Sequence, residues 1–298
     1  MDAVTRCTVR HAHAVAHEIR ARAVLIYADA LAAEEELQNL LRAVDFRTIM
    51  ISRSQDGPRN IAGCQACNWV NVPNVPMTRA GQVKVALLVS LAKGLLERGD
   101  SVVCLAGLDG SDVIDTLIVL NLETEPELFR PIDVSIIGDD VQPEVFERAL
   151  SLATQLAVEG REGRPIGAIF IVGDATRVLD RSHNLVLNPF HGYPESERNI
   201  LDLRLEETIK EFAAIDGAFI IRGDGVILTA GAQLLSTGRA VNLPKGLGTR
   251  HAAAASITVS TGAAAIVVSE STGVVSVFKS GQMVADIHRP GNGSRLPV

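Results

Sequence analysis

The sequence predicts an α/β protein of two domains, the first built on a doubly wound, mostly parallel sheet. Short apolar segments alternate with helix-patterned segments through the first half, which is typical of parallel strands joined by helices. The polar segment DDVQPE (139–144) then interrupts this pattern, and its charges and proline are typical of a boundary. We therefore place the domains at residues 1–140 and 141–298.

The N-terminal elements are expected in alternating order. The clearest is a helix after the potential N-cap Thr78, because Leu87, Leu91 and Leu95 recur at helical spacing before Gly99 ends it. In chain order the pattern predicts a helix over 2–21, a strand over 23–29, a helix over about 31–43, a strand over 47–52, a loop over 58–76, the helix after Thr78, and strands over 101–107 and 132–138.

The C-terminal half continues with helices and strands. Asp224-Gly225 lies between two strand-like runs within 216–231, and this dipeptide favours a two-residue hairpin turn with positive φ. The pattern predicts a helix carrying the apolar stripe Val145, Ala149, Leu152 and Leu156, a strand over 166–174, a helix over about 201–214, the hairpin, an alanine-rich helix, and strands over 263–270 and 273–279.

Composition argues against several classes of protein. Of the 298 residues 47% are hydrophobic, which suffices for two medium cores, and the net charge is -7. The acidic balance argues against nucleic acid as the main partner. No apolar run approaches the roughly 20 residues of a membrane helix. We expect a soluble cytoplasmic protein that binds neither nucleic acid nor a membrane.

One cysteine pair has the spacing of a metal or redox motif. Cys64 and Cys67 form a single CxxC, and no second such pair exists in the sequence. Cys7, with His11 and His13, is a weak candidate for completing a zinc site. The alternative is a pair of reduced thiols in a loop, and the role of Cys64 and Cys67 stays open.

The segment GLGTRH directly precedes four alanines and is typical of an anion site. Gly246 and Gly248 permit close backbone approach, and a helix N-terminus offers unpaired N–H groups. Thr249, Arg250 and His251 add a hydroxyl, a forked cation and an imidazole at the same end. A polyphosphate is the expected ligand, although neither the GxxxxGK[ST] nor the GxGxxG pattern fits. The alternative is a helix cap that holds an arginine by chance.

Two further polar segments carry candidate residues. Asp216 stands at a helix-to-strand junction, where a carboxylate can hold a divalent metal or orient a hydroxyl. Gly217 and Ala218 leave room there for a ligand. Ser269 and Glu270 begin a polar turn between two apolar strands. The alternatives are an ordinary turn aspartate and a solvent-exposed hairpin.

Together these segments resemble the diadenylate cyclase (DAC) domain. Members of that family carry a DGA motif, a GTRHR-type motif and an SEETG-like turn in this order, and this chain has DGA, GTRH and SESTG. The resemblance covers roughly residues 143–285 and implies a mixed sheet flanked by helices. The first half resembles the domain that archaeal-type members carry ahead of the DAC domain, itself similar to the C-terminal domain of pyruvate kinase.

The resemblance implies condensation of two ATP molecules into cyclic di-AMP with release of two pyrophosphates. Catalysis is then expected from Asp216, which would activate the ribose 3′-hydroxyl, with Arg250 and His251. A divalent metal, Mn²⁺ or Mg²⁺, is expected with ligands from Asp216, His251 and Glu270. The residues expected to bind the nucleotide are Gly217, Ala218, Leu235 (near the adenine), Gly248, Thr249, Arg250, His251 and Ser269.

The resemblance also raises two questions about assembly and turnover. Each DAC domain holds one ATP, so the product requires a homo-oligomer with two domains face to face, and the N-terminal domain is then an assembly or regulatory domain or a plain scaffold. Ala252 stands where the family has a second arginine. One alternative function is therefore a sensor of ATP or cyclic dinucleotide that has lost turnover, and a more distant one is a structural protein–protein module.

Overall fold

The structure is a computed structural model that describes residues 2–28, 46–53, 68–107, 113–124, 135–235, 243 and 246–289. The chain divides into two compact units, Met1–Phe129 and Arg130–Val298. The predicted helix over 31–43 and both cysteines of the CxxC lie outside the described residues. Residues 130–140 belong with the second unit, and the functional assignment of the two predicted domains stays a prediction.

The first unit contains a five-stranded mixed sheet in the order β3-β2-β1-β4-β5. The first four strands of this order are mutually parallel, and the fifth pairs antiparallel with its neighbour. The described elements are α1 (Ala3–Glu18), β1 (Ala23–Tyr27), β2 (Arg47–Ser52), β3 (Asn68–Asn71), α2 (Arg79–Ala92), β4 (Ser101–Ala106) and β5 (Thr116–Asn121). The doubly wound arrangement of the helices stays a prediction.

Local capping explains where the two described helices of this unit begin. Asp2 accepts hydrogen bonds from the backbone N–H groups of Val4 and Thr5, and Thr78 accepts one from Gly81. The side chain of each cap thereby satisfies N–H groups that the first helical turn leaves unpaired. The N-cap predicted at Thr78 is confirmed.

Two elements of this unit were predicted wrongly. Strand β3 lies inside the predicted loop, because pairing with β2 outweighs the loop propensity of its asparagine- and proline-rich flanks. Strand β5 was missed although its run LIVL is apolar, and its residues are mostly half buried at the edge of the sheet. In the second unit, residues 135–138 of the strand predicted over 132–138 form no strand, and Val141 donates to the Gly138 carbonyl in a turn.

The second unit contains a seven-stranded mixed sheet in the order β12-β11-β10-β6-β8-β9-β7. The pair β6 and β8 is parallel, and every other pairing is antiparallel. The described elements are α3 (Pro143–Glu159), β6 (Ala168–Val172), α4 (Ala175–Leu179), β7 (Ser182–Asn184), α5 (Glu206–Phe212), β8 (Ala218–Ile221), β9 (Ile227–Leu234), α6 (Thr249–Ser260), β10 (Ala264–Val268), β11 (Val275–Lys279) and β12 (Gln282–Ile287), with 3₁₀ turns at Glu195–Glu197 and Leu203–Leu205.

Side chains on the two faces of this sheet build separate packing layers. On one face Ala254, Ala255 and Ile257 of α6 pack with Ile171 and Val267 in a single buried cluster. The alanines carry only one methyl group each, so the helix lies close to the strands. On the other face, the stacked rings of Phe170 and Phe219 have centroids 5.0 Å apart.

Several C-terminal elements differ from the prediction. The turn at Asp224-Gly225 closes a three-residue loop, because Arg222 donates to the Val226 carbonyl and Gly225 to the Arg222 carbonyl. Of the dipeptide, only Gly225 has positive φ, at 94°. The helix expected over 201–214 shortens to α5, preceded by a 3₁₀ turn. The elements α4, β7 and β12 were missed. Within the described ranges, no helix is long and apolar enough to cross a membrane.

The central strand of the second unit provides a test of its packing. Phe170→Ala removes a fully buried ring that stacks on Phe219, so we expect the free energy of unfolding to fall by about 3–5 kcal/mol in urea denaturation. Leu187→Ala is the matched control, because Leu187 is 96% exposed and its loss should change the value by about 0.5 kcal/mol or less. Equal effects of the two substitutions would contradict this packing.

Candidate functional site

The candidate residues of the second unit converge on one edge of its sheet. Strands β6 and β8 begin at this edge, while β10, which runs antiparallel to β6, ends there. Asp216 therefore precedes β8 at the edge where Ser269 and Glu270 follow β10. Helix α6 starts at Thr249 and contributes its first residues to the same place.

Arg250 joins residues from three separate segments. Its Nη2 donates to Oδ1 of Asp216 at 3.1 Å, and its Nη1 donates to Oε2 of Glu270 at 2.9 Å. The Asp216 side chain is 85% exposed, so the ion pairs contribute little to stability. Their effect is geometric, because they hold one guanidinium between two carboxylates at the sheet edge. The structure thus brings together Asp216, Arg250 and Glu270.

Gly167, which sequence reasoning missed, makes room for this guanidinium. A Cβ at residue 167 would lie 2.4 Å from Nη1 of Arg250 and 2.7 Å from its Cζ. No side chain larger than hydrogen fits while Arg250 keeps its position. The available signal was a glycine directly in front of the buried run AIFIV, since a glycine there indicates close approach of another group.

The backbone conformation at residue 217 requires a glycine. Its φ is 114°, and a Cβ there would lie 2.5 Å from the carbonyl carbon of Gly231 on the neighbouring strand. Only glycine adopts this conformation without strain while approaching another backbone so closely. The tight passage turns the chain from Asp216 into β8, where Ala218 is buried. The glycine of the DGA segment therefore positions the carboxylate before it.

A cavity of about 670 Å³ opens beside Arg250. The start of α6 and the polar turn form much of its wall, and Pro165, the end of β10, and residues in or next to β11 and β12 supply the rest. Its lining residues are Pro165, Gly246, Leu247, Gly248, Thr249, Arg250, His251, Val268, Ser269, Glu270, Ser271, Thr272, Val274, Ser276, Met283, Asp286 and His288. Asp216, Gly217, Ala218 and Leu235 are not among them, and Leu235, which follows β9, is 44% exposed.

The start of α6 faces this cavity with backbone donors. Gly248 is the N-cap and has no side chain to satisfy the N–H groups of the first turn. These groups and the positive end of the helix dipole favour an anion. The hydroxyl of Thr249 and the guanidinium of Arg250 stand at the same end. The arrangement is suited to binding phosphate oxygens.

His251 is buried in the cavity wall as a neutral ring. Its Nε2 lies 3.4 Å from Oγ of Ser276 on β11, and its ring meets that of Phe278 edge-on with centroids 6.0 Å apart. Burial lowers the pKa of His251 below its ordinary value, because desolvation disfavours the imidazolium. A neutral imidazole is the form that binds a metal ion.

The polar turn after β10 is held by its own hydrogen bonds. Ser269 donates from its backbone to the Val274 carbonyl, and Gly273 donates to the Ser269 carbonyl. The hydroxyl of Ser269 accepts from the N–H of Thr272 at 3.4 Å. The turn therefore presents Ser269 and Glu270 to the cavity from a fixed backbone.

Metal ligands from the protein alone are few. Among the residues that the structure describes, no group of three or more His, Cys, Asp or Glu side chains is placed to hold a metal ion. Cys7 contacts His11 on α1, with Sγ 3.5 Å from Nδ1, while its proposed CxxC partners lie outside the described residues. A metal at the cavity would need oxygen ligands from a bound substrate.

Comparisons with known proteins match both units of the chain. The family model described as DisA bacterial checkpoint controller nucleotide-binding matches residues 155–283. A second model, described as probable sensor domain DacZ_P, matches residues 6–129. The chain is 30% identical to a protein named diadenylate cyclase from Methanocaldococcus jannaschii, over 94% of this chain and 96% of that protein.

Two further relatives extend these comparisons. The chain is 34% identical to a diadenylate cyclase of Haloferax volcanii, over 75% of this chain and 81% of that protein. Among solved structures, a double cysteine mutant of DacA from Staphylococcus aureus matches with a TM-score of 0.32 and 24% identity, over 48% of this chain and 87% of that one.

The burial of His251 predicts its titration. In metal-free protein, we expect the ring followed by NMR to titrate below about pH 6.5, the value of an unburied histidine. Since the unfolded chain binds this proton more readily, the free energy of unfolding should fall as the pH drops below about 6.5. His251→Asn should remove that part of the pH dependence. Titration of the ring above about 6.5 would contradict its desolvation.

Proposed function

The chain belongs to the diadenylate cyclase family, and we propose that it condenses two molecules of ATP into cyclic di-AMP and releases two pyrophosphates. The observation that carries this proposal is the contact of Arg250 with both Asp216 and Glu270 beside a cavity at a helix N-terminus. That arrangement supplies the two parts the reaction needs, which are a carboxylate for a hydroxyl and donors for phosphate oxygens.

In the proposed reaction Asp216 accepts the proton of a ribose 3′-hydroxyl, whose oxygen then attacks an α-phosphorus. The bond from that phosphorus to the bridging oxygen breaks, and pyrophosphate leaves with the electron pair. Arg250 and the first N–H groups of α6 stabilise the charge that develops on the phosphate oxygens. When phosphate enters, it competes with the two carboxylates for the guanidinium of Arg250.

A divalent metal, Mn²⁺ or Mg²⁺, fits the residues of the cavity. His251 offers a neutral imidazole and Glu270 a carboxylate. Asp216 offers a second carboxylate, which contacts the same Arg250 guanidinium as Glu270 does. The phosphate oxygens would complete the ligand set, since protein ligands alone do not suffice among the described residues. The ion supplies charge neutralisation of the triphosphate.

We propose that two copies of the second unit act face to face. One cavity accommodates the phosphates of one ATP, yet each cyclic di-AMP contains two nucleotides. A two-fold arrangement brings the 3′-hydroxyl of one nucleotide to the α-phosphate of the other. The high exposure of Asp216 supports this arrangement, because a ribose bound beside its carboxylate is accessible to a nucleotide on an opposing copy.

The first unit is proposed to regulate the second. The match of residues 6–129 to a probable sensor domain supports this assignment, while the resemblance to a pyruvate kinase domain stays a prediction. A cytoplasmic location also stays a prediction, and the requirement for ATP supports it.

Ala252 bears on the alternative of a sensor without turnover. The alanine lies on an exposed position of α6 and is not among the residues that line the cavity. Arg250 and His251 line the cavity wall without any contribution from the side chain of residue 252. These placements favour a cyclase that works without the second arginine.

The proposal predicts separate effects on turnover and binding. Wild-type protein with ATP and Mn²⁺ or Mg²⁺ should form cyclic di-AMP. Asp216→Asn keeps the side-chain shape but removes the base, so formation should fall by about 10²–10⁴-fold while ATP affinity changes only a few-fold. Asp180→Asn, at the exposed end of α4, is the matched control. ATP binding without product in the wild type would instead identify a sensor.

The contact between Gly167 and Arg250 predicts a loss of activity without a loss of stability. Gly167→Ala should displace the flexible end of the Arg250 side chain, so cyclase activity should fall at least about tenfold and ATP affinity should fall as well, while the melting temperature changes little. The loss of ATP affinity should be small or absent in an Arg250→Ala background, because the effect acts through that residue. Equal losses in both backgrounds would refute this coupling.

A further inference from the structure

We propose that His288 is a further substrate-contacting residue, which binds the terminal phosphates of ATP and the departing pyrophosphate. This inference rests on the proposed cyclase function and assigns the terminal phosphates to one end of the same cavity. His288 directly follows β12 and lies in the cavity wall, far along the sheet edge from Asp216.

Strand order gives the positions along this edge. From Asp216 at β8 the edge passes β6, β10 and β11 before it reaches β12. The pairs Val268–Val275 and Val275–Ile287 place the end of β10, the start of β11 and the end of β12 side by side. With about 4.8 Å between neighbouring strands, His288 lies roughly 10 Å beyond β10 and roughly 19 Å from the β8 position.

Arg250 fixes the direction of the substrate along this line. Its contacts with Asp216 and Glu270 span the part of the edge from β8 to β10. If Asp216 faces the ribose, the α-phosphate lies near Arg250, and the remaining phosphates extend toward β11 and β12. His288 is then at the pyrophosphate end of the nucleotide.

Asp286 holds the His288 ring for such a contact. Its Oδ2 lies 3.0 Å from Nε2 of His288, and among the described residues no partner is recorded for the other ring nitrogen, Nδ1. Asp286 pairs in register with Ser276, whose hydroxyl contacts His251, so both strands present polar side chains to the same cavity. With Nε2 engaged by Asp286, Nδ1 is the ring nitrogen that can donate a hydrogen bond to a phosphate oxygen.

The set of lining side chains supports a further hydrogen-bond donor there. Among its described lining residues Arg250 is the one permanently charged cation, and it already faces Asp216 and Glu270. His251 is buried and neutral. Beyond the α6 N-terminus and Arg250, His288 is then the lining side chain near β12 that can donate to the terminal phosphates.

The test compares ligands with and without terminal phosphates. Binding is measured by calorimetry with Mg²⁺ for α,β-methylene-ATP, inorganic pyrophosphate, AMP and cyclic di-AMP. His288→Ala should weaken the first two at least about tenfold, the loss expected for one charge-assisted hydrogen bond. Binding of AMP and cyclic di-AMP should stay within about twofold. His191→Ala, at an exposed turn, is the matched histidine control.

Other outcomes overturn the assignment. If all four ligands weaken equally, or none does, His288 does not contact the terminal phosphates. If His288→Ala fails to fold, His288→Gln and Asp286→Asn are compared in the same way, and unchanged binding of the analogue and pyrophosphate by both refutes the proposal. Wild-type protein that binds these two ligands but forms no cyclic di-AMP would refute the cyclase proposal alone.

Discussion

The site depends on one guanidinium held between two carboxylates over a glycine. Asp216, Arg250 and Glu270 come from a loop, a helix and a turn that are separated in sequence, and two hydrogen bonds of 3.1 and 2.9 Å join them. Exposed ion pairs such as these contribute little stability, so they cannot by themselves bring the segments together. The buried sheet and α6 do that, and the ion pairs then fix the last few ångströms.

Close backbone approach makes this arrangement possible at two places. Gly167 leaves the space that the guanidinium occupies, and Gly217 turns the chain sharply against Gly231. Ala254 and Ala255 act in the same way on α6, because small side chains let the helix N-terminus lie near the strand ends. Small residues therefore set the geometry, while the charged ones carry the proposed chemistry.

Sequence reasoning predicted the part of the site that depends on local motifs. The N-terminus of α6, Asp216 before β8 and the polar turn after β10 were each visible as a short segment, and the structure places them at one edge. Gly167 and His288 were missed, because their roles follow from strand order and register. Likewise, β5 and β12 were missed although both contain apolar residues, because their places at the sheet edges follow from pairing with β4 and β11, whereas the buried strand β2 was predicted at its observed bounds.

The balance of charge explains why the cavity needs more positive charge than Arg250 supplies to bind a triphosphate. In the protein alone, this cation already faces two carboxylates, so the cluster carries a net negative charge before any phosphate enters. Binding a triphosphate must therefore release Arg250 from at least one carboxylate or add further positive charge. The α6 N-terminus supplies partial charge, and the proposed divalent ion would supply more. The carboxylates released from Arg250 would then be available, one to the metal and the other to the ribose hydroxyl. Substrate binding and the freeing of the catalytic base would thus be the same event.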